Sequence, residues 1–154
     1  MIRWRDILLM GTLAAVFYGV ASSLAGDGHT EITAAIHRTV DADTFVVDVT
    51  MVAEPGEPLY WNLRTPERPI TITLLDQRLR LHGVDAHELA TDKGKIAKLS
   101  VEKLLVGKTV KLTPRGKDNF GRLLAIVTLV DEAGKEIVLA DWLIKNGHGV
   151  SYKR

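Results

Sequence analysis

Along this chain of 154 residues the period of the hydrophobic positions changes several times, and each change predicts an element. From Ile7 to Ala25 apolar residues run almost without a break. Residues 30–38 and Thr44–Val49 are rich in β-branched residues and read as strands. Residues 51–69 hold four of the five prolines and read as a loop insertion. The segments ITITLL (70–75) and QRLRLHGV (77–84) alternate apolar with polar, as one long strand or as a hairpin about Asp76-Gln77. Then Ile96, Ala97, Val101, Leu104 and Leu105 recur at helical spacing, and Gly107 stands where a helix C′ glycine belongs. Strands follow at 108–114 and 122–130, with a turn at 133–135. The stretch from Glu136 starts as a strand and becomes a short helix ending near Asn146-Gly147.

With 70–84 taken as one strand, five main strands surround a helix between the third and fourth. The class is mainly β with helices (α+β), and the order fits the five-stranded Greek-key barrel of the OB-fold. One such domain, residues 27–154, follows a distinct segment of residues 1–26. Arg3 and Arg5 precede the apolar run, Asp6 abuts it, and the next charge is Asp27. Ser23-Leu24-Ala25 resembles a small-x-small cleavage site, which makes a secretory signal one reading. The length of residues 7–25 makes a retained membrane anchor the other. Both place the remainder outside the cytoplasm, secreted, periplasmic or anchored, because basic flanks stay inside.

Charge is uneven beyond that segment. Residues 26–90 carry 11 acids against five Lys/Arg, a net of −6, and residues 91–154 carry seven against 13, a net of +6. The balance argues against coating nucleic acid by bulk charge but permits a local site for an anion and a cation. With no cysteine, disulfides and thiolate metal sites are excluded. Zinc would need three or four convergent nitrogen or sulfur ligands.

Candidate chemistry sits at three strand ends: Asp41-Ala-Asp43-Thr44, then Arg80-Leu-His-Gly-Val-Asp85-Ala-His-Glu88, then Asp118-Asn-Phe-Gly121-Arg122. Singly, each is an ordinary turn or surface segment. Together, in this order and with these spacings, they resemble the staphylococcal nuclease (thermonuclease) family over roughly residues 30–152. The resemblance implies that Asp43, Asp85 and the backbone carbonyl of Ala86 hold a calcium ion. It implies that Glu88 acts on the attacking water, that Arg80 and Arg122 grip the scissile phosphate, and that Phe120 and Tyr152 contact the nucleotide. The residue types suit those roles. Hard oxygen donors suit calcium, and guanidinium forks bind phosphate oxygens bidentately. The implied reaction is calcium-dependent hydrolysis of DNA or RNA, single-stranded or frayed, leaving 3′-phosphate ends, by a monomer.

This sequence departs from the family pattern at three places. Ala42 replaces a glycine and would be strained if that position needs positive φ. His87 replaces a proline and is expected to loosen the loop around Glu88. Phe120 replaces a tyrosine, keeping a stacking face without a hydroxyl. In the insertion, either Tyr60, Trp61 and Arg64 stack on and pair with nucleic acid, or Tyr60 and Trp61 cover a barrel edge. The rival reading is a non-catalytic OB-fold module that binds nucleic acid or protein, held at the membrane in one variant.

Overall fold

The computed structural model describes residues 32–152 except 54, 56, 57, 61, 62, 65, 66 and 132. The leader, Trp61 and the side chains of Tyr60 and Arg64 lie outside the described residues. Inward alternation builds the first hairpin. In β1 (Ile32–Asp41), Ile32, Ala34 and Ile36 point into the core. In β2 (Thr44–Ala53), Phe45, Val47, Val49 and Met51 are fully buried. Ala42 and Asp43 form the two-residue connection, with Asp41 paired to Thr44.

The next strand is continuous. β5 (Ile70–Leu81) pairs with β2 along its length, so no hairpin forms at Asp76-Gln77. Instead Asp76 takes φ 53°, the pairing slips between Val47 and Val49, and the Asp76 N–H donates to Asp48 at 2.9 Å. The alternation survives a bulge, which is why sequence left both readings open. The proline-rich insertion is shorter than its composition implies. β2 extends through Ala53, and β3 (Pro58–Tyr60) pairs with β4 (Leu63–Arg64) in a small antiparallel ribbon.

After a brief β6 (Val84–Ala86), α1 (Asp92–Leu105) lays Gly94, Ala97, Val101 and Leu105 on the core. Thr91 caps it, its hydroxyl oxygen accepting from the Gly94 N–H at 3.0 Å. β7 (Thr109–Lys117) and β8 (Leu123–Val130) return along the sheet, and β9 (Glu136–Val138) adds at its edge. α2 (Leu139–Lys145) follows, then β10 (Gly149–Ser151), which pairs with β6.

The strand order β5-β2-β1-β7-β8 closes on itself through a parallel β5–β8 pairing. The result is a closed five-stranded barrel with two helices, consistent with the OB-fold expectation. Closure decides where the chemistry sits. It sets Arg80 opposite both Thr44 of β2 and Leu124 of β8. The start of β2, the end of β5 and the start of β8 thereby meet at one rim.

Candidate active site

Asp43 is deeply placed in this rim, with its side chain only 3% exposed. Its backbone carbonyl accepts from the Leu81 N–H at 2.9 Å, which locks the hairpin connection to β5. One carboxylate oxygen accepts from the Ala86 N–H at 2.8 Å. The other accepts from the Thr44 hydroxyl at 3.1 Å and from Arg80 Nη1. Burial pushes the Asp43 carboxyl above the ordinary aspartate value. The Ala86 N–H and the Arg80 charge pull it down, the Asp41 carboxylate pushes it up again, and the net direction is up.

Arg80 reaches further. Its Nη2 donates to Asp85 Oδ1 at 2.6 Å, so a single guanidinium bridges the two acids that the family resemblance implies as metal ligands. Asp85 itself is largely exposed. Around this bridge lies a shallow recess of about 80 Å³ lined by Asp41, Asp43, Arg80, Asp85, Ala86 and Glu88, among others. Glu88 is exposed at its edge, and its carboxylate has no hydrogen bond or ion pair among the described residues.

Among the described residues, no three acidic or imidazole side chains converge closely enough to hold a cation by themselves. The donor set nevertheless suits a hard cation. It offers two carboxylates, with Ala86 lining the same recess, and a third carboxylate oxygen, Asp41 Oδ1, that among the described residues is buried without a hydrogen-bond partner. Arg80 holds the two carboxylates together by its own positive charge. Asp41 was not singled out as a ligand from sequence, because a turn aspartate is ordinary until its oxygen is seen to be orphaned.

The neighbouring cleft is larger, about 230 Å³. It is lined by Arg80, Asp85, Asp118, Phe120, Arg122 and Tyr152, together with the segment from Leu81 to Val84. Arg122 is held at its mouth by a turn whose geometry follows from two residues. Gly121 takes φ 76°, which a side chain would resist. Buried Asp118 accepts from the Phe120 and Arg122 N–H groups, both at 2.9 Å, through one oxygen, and from Arg122 Nε at 2.5 Å through the other. The guanidinium also lies 5.3 Å from the centre of the Phe120 ring, within cation–π range. Phe120 is 81% exposed and Tyr152 48%. The Tyr152 N–H donates to the Gly83 carbonyl at 3.1 Å. Both expected nucleotide contacts therefore share one cleft with both arginines, and Arg80 with Asp85 forms the wall between the two recesses.

Asp118 carries a testable consequence. Its burial pushes its carboxyl up, but the hydrogen bonds from Arg122 and Phe120 and the Arg122 charge outweigh burial and hold it below the ordinary 3.8. A depressed folded value contributes stability above the unfolded pKa, and the contribution is lost as pH falls through the folded one. Asp118→Asn is expected to lower stability by about 1–2 kcal/mol at neutral pH. It should also flatten the part of the acid limb below the ordinary carboxylate range. Denaturant melts of both proteins from neutral pH into that range check it.

Two expected departures resolve differently in the structure. Among the described residues other than glycine, only Asp76 has positive φ, so Ala42 is unstrained; it is fully buried and its methyl group fills core space. His87 does not leave its loop loose. Its Nε2 lies 3.0 Å from the Gly147 carbonyl, and its N–H donates to the His148 carbonyl at 3.2 Å. On the other flank, the Glu88 carbonyl accepts from the Thr91 hydroxyl at 2.8 Å and the Thr91 N–H at 2.9 Å.

Gly94 completes that clamp. A Cβ there would run into the Glu88 carbonyl and crowd the His87 oxygen. Gly94→Ala gains up to about 1 kcal/mol of helix propensity. Overpacking against backbone costs about 1–3 kcal/mol. Net destabilisation is expected in a thermal melt, with Glu88 displaced and turnover reduced.

Two comparisons bear on this arrangement. The family described as Staphylococcal nuclease homologue matches residues 78–154, from β5 to the end of the chain. Two rice (Oryza sativa subsp. japonica) proteins are similar over 76 residues: "Probable staphylococcal-like nuclease CAN2" at 33% identity and "Probable staphylococcal-like nuclease CAN3" at 32%. The aligned segment covers 49% of this chain and 19% of each relative. The match contains Arg80, Asp85, Glu88 and Arg122, while Asp43 precedes it and reaches the same rim by strand pairing. On the matched half of its length and the site carried there, the chain belongs to the staphylococcal nuclease homologue family.

Proposed function

We propose that this protein hydrolyses phosphodiester bonds in DNA or RNA, using calcium and leaving 3′-phosphate ends. The observation that carries the reading is the position of Arg80, at the seam between a recess of carboxylates and a cleft that holds Arg122. A phosphate at that seam would meet both guanidinium groups and lie beside the acids. Asp43, Asp85 and the Ala86 carbonyl would hold the ion, with the unpaired Asp41 oxygen beside them. When bound, calcium supplies charge neutralisation at a phosphate oxygen.

The remaining work falls to side chains of this chain. Glu88, exposed and unpaired among the described residues, takes the proton of a water attacking phosphorus. Arg80 and Arg122 donate to the phosphate oxygens, most strongly as charge builds on them. The 5′-oxygen leaves and is protonated from the solvent-open cleft. Phe120 and Tyr152 offer ring faces to the flanking nucleotide, which favours single-stranded or frayed substrates. The apolar run of residues 7–25, taken as a leader, supports an activity outside the cytoplasm, released or held by that run, and one barrel supplies every group named, so a monomer suffices.

One observation favours the non-catalytic reading. Arg80 is already engaged with Asp43 and Asp85. A cleavage assay on the full chain with single-stranded DNA separates the two. Cleavage that requires calcium, stops with chelator, and leaves ends extendable by polymerase only after phosphatase treatment supports hydrolysis as proposed. Extendable ends, or cleavage indifferent to chelator, overturn that chemistry. Retention of DNA without cleavage assigns the barrel to binding.

A further inference from the structure

We infer that the outward face of α1 docks on an anionic phospholipid bilayer. Opposite the buried Gly94, Ala97, Val101 and Leu105, the residues Ile96, Leu99 and Lys103, with Val106 at the C-cap, succeed each other at three- and four-residue spacing. They therefore form one stripe along the helix. Ile96 is 57% exposed, Leu99 56% and Val106 48%. The solvent face of a helix ordinarily carries charged and polar side chains, and here its centre carries aliphatic ones.

The cations around the stripe are also unusual in being uncompensated. Lys95 pairs with Asp92 at 3.3 Å and Lys98 with Glu102 at 3.7 Å, which takes up both acids of α1. Lys93, Lys103 and Lys108 are exposed and have no ion pair among the described residues. Aliphatic side chains on the outward face with Lys103 among them, and unpaired Lys93 and Lys108 near the two ends of the helix, are the composition of a helix that lies in a bilayer interface. The lysines meet lipid phosphates, and the aliphatics enter the boundary below them.

The route of the chain points to a membrane over a protein partner. The C-terminal end of α1 is bonded to β1. The Gly107 N–H donates to the Ile36 carbonyl at 3.2 Å, and the Ile36 N–H donates to the Lys108 carbonyl at 3.1 Å. β1 begins at Ile32, and the uncharged sequence run from Ile7 ends at Ala25. The residues between them, 26–31, reach at most about 20 Å when extended. With that run lodged in a bilayer, α1 is held within reach of the lipid surface, and a short tether raises the effective concentration of a weak contact.

The test uses the absence of cysteine. Full-length Leu99→Cys carries one environment-sensitive fluorophore, and Thr71→Cys on β5 serves as the control. Each is reconstituted with phosphatidylcholine vesicles with and without phosphatidylglycerol. The label at 99 is expected to shift to the blue and to be quenched by brominated acyl chains in the anionic vesicles, and the label at 71 to do neither. Adding Lys103→Glu should lower the docked-to-undocked ratio about tenfold. Vesicle-bound protein whose label at 99 stays in water overturns the inference. An equal shift on neutral vesicles overturns the anionic assignment. A shift without vesicles overturns it in favour of a second copy where it depends on protein concentration, or of the chain's own apolar run where it does not.

Discussion

Arg122→Lys is expected to lower kcat/KM on DNA by about 10²–10³-fold while the fold is retained. In the structure the guanidinium is oriented on three sides. Nε is bonded to Asp118, Nη1 lies 3.4 Å from the Thr44 hydroxyl, and the Phe120 ring is stacked close by. The group so oriented lines the cleft. A lysine keeps the charge but offers a single mobile point, without the planar pair of donors that matches phosphate. Losing one preorganised donor to a developing oxyanion costs about 10²–10³ in rate. The loss should appear mainly in kcat, since a lysine still attracts the ground-state phosphate. Asp118→Asn supplies the comparison, because it keeps the Arg122 guanidinium but replaces the charged oxygen that accepts from its Nε with an amide donor, so its effect should be smaller. An unchanged kcat/KM in Arg122→Lys would remove this residue from the chemistry.

Sequence and structure agree where local period alone decides the outcome. The two-residue alternation of Phe45, Val47 and Val49 places them in the core, and the helical spacing of Ala97, Val101 and Leu105 does the same, whereas Ile96 of that helical set faces solvent and Met51, which composition assigns to the proline-rich loop, is buried in β2. The acids and arginines at the strand ends were legible as three segments, and barrel closure brings them to one rim. Contacts between distant segments were not legible. Nothing near His87 in sequence announces the Gly147 carbonyl, and nothing near Gly94 announces that the Glu88 backbone rests on it. The role of Asp118 had a readable signal, since an aspartate two residues before a backbone N–H commonly accepts from it in an Asx-turn. Asp76 had none, because the slip in register that gives it positive φ is set by how β2 and β5 pair.

Asp43→Asn is expected to separate stability from function. Burial makes the ionised carboxylate costly, as the upward shift of its pKa records. A group raised in the folded state contributes its stability below the unfolded pKa and loses it as pH climbs through the folded one. At neutral pH the charge is therefore carried at a cost. The amide removes that cost and keeps an oxygen to accept from the Ala86 N–H, while Arg80 retains Asp85. Without added ion, the melting temperature of the variant should match or exceed that of the wild type. Calcium should then reveal what the charge is for. An ion at about 100 times its Kd stabilises the folded state by about 2.7 kcal/mol, which is on the order of 10 °C for a domain of this size. The wild type should show that shift, and Asp43→Asn should show little of it and lose activity by about 10²–10³-fold. A calcium-induced shift of equal size in both proteins would place the ion elsewhere, whatever the variant did to turnover. A melting temperature that fell steeply without the ion would mean that the bridge through Arg80 outweighs the burial of charge, and that Asp43 holds the rim together by that bridge.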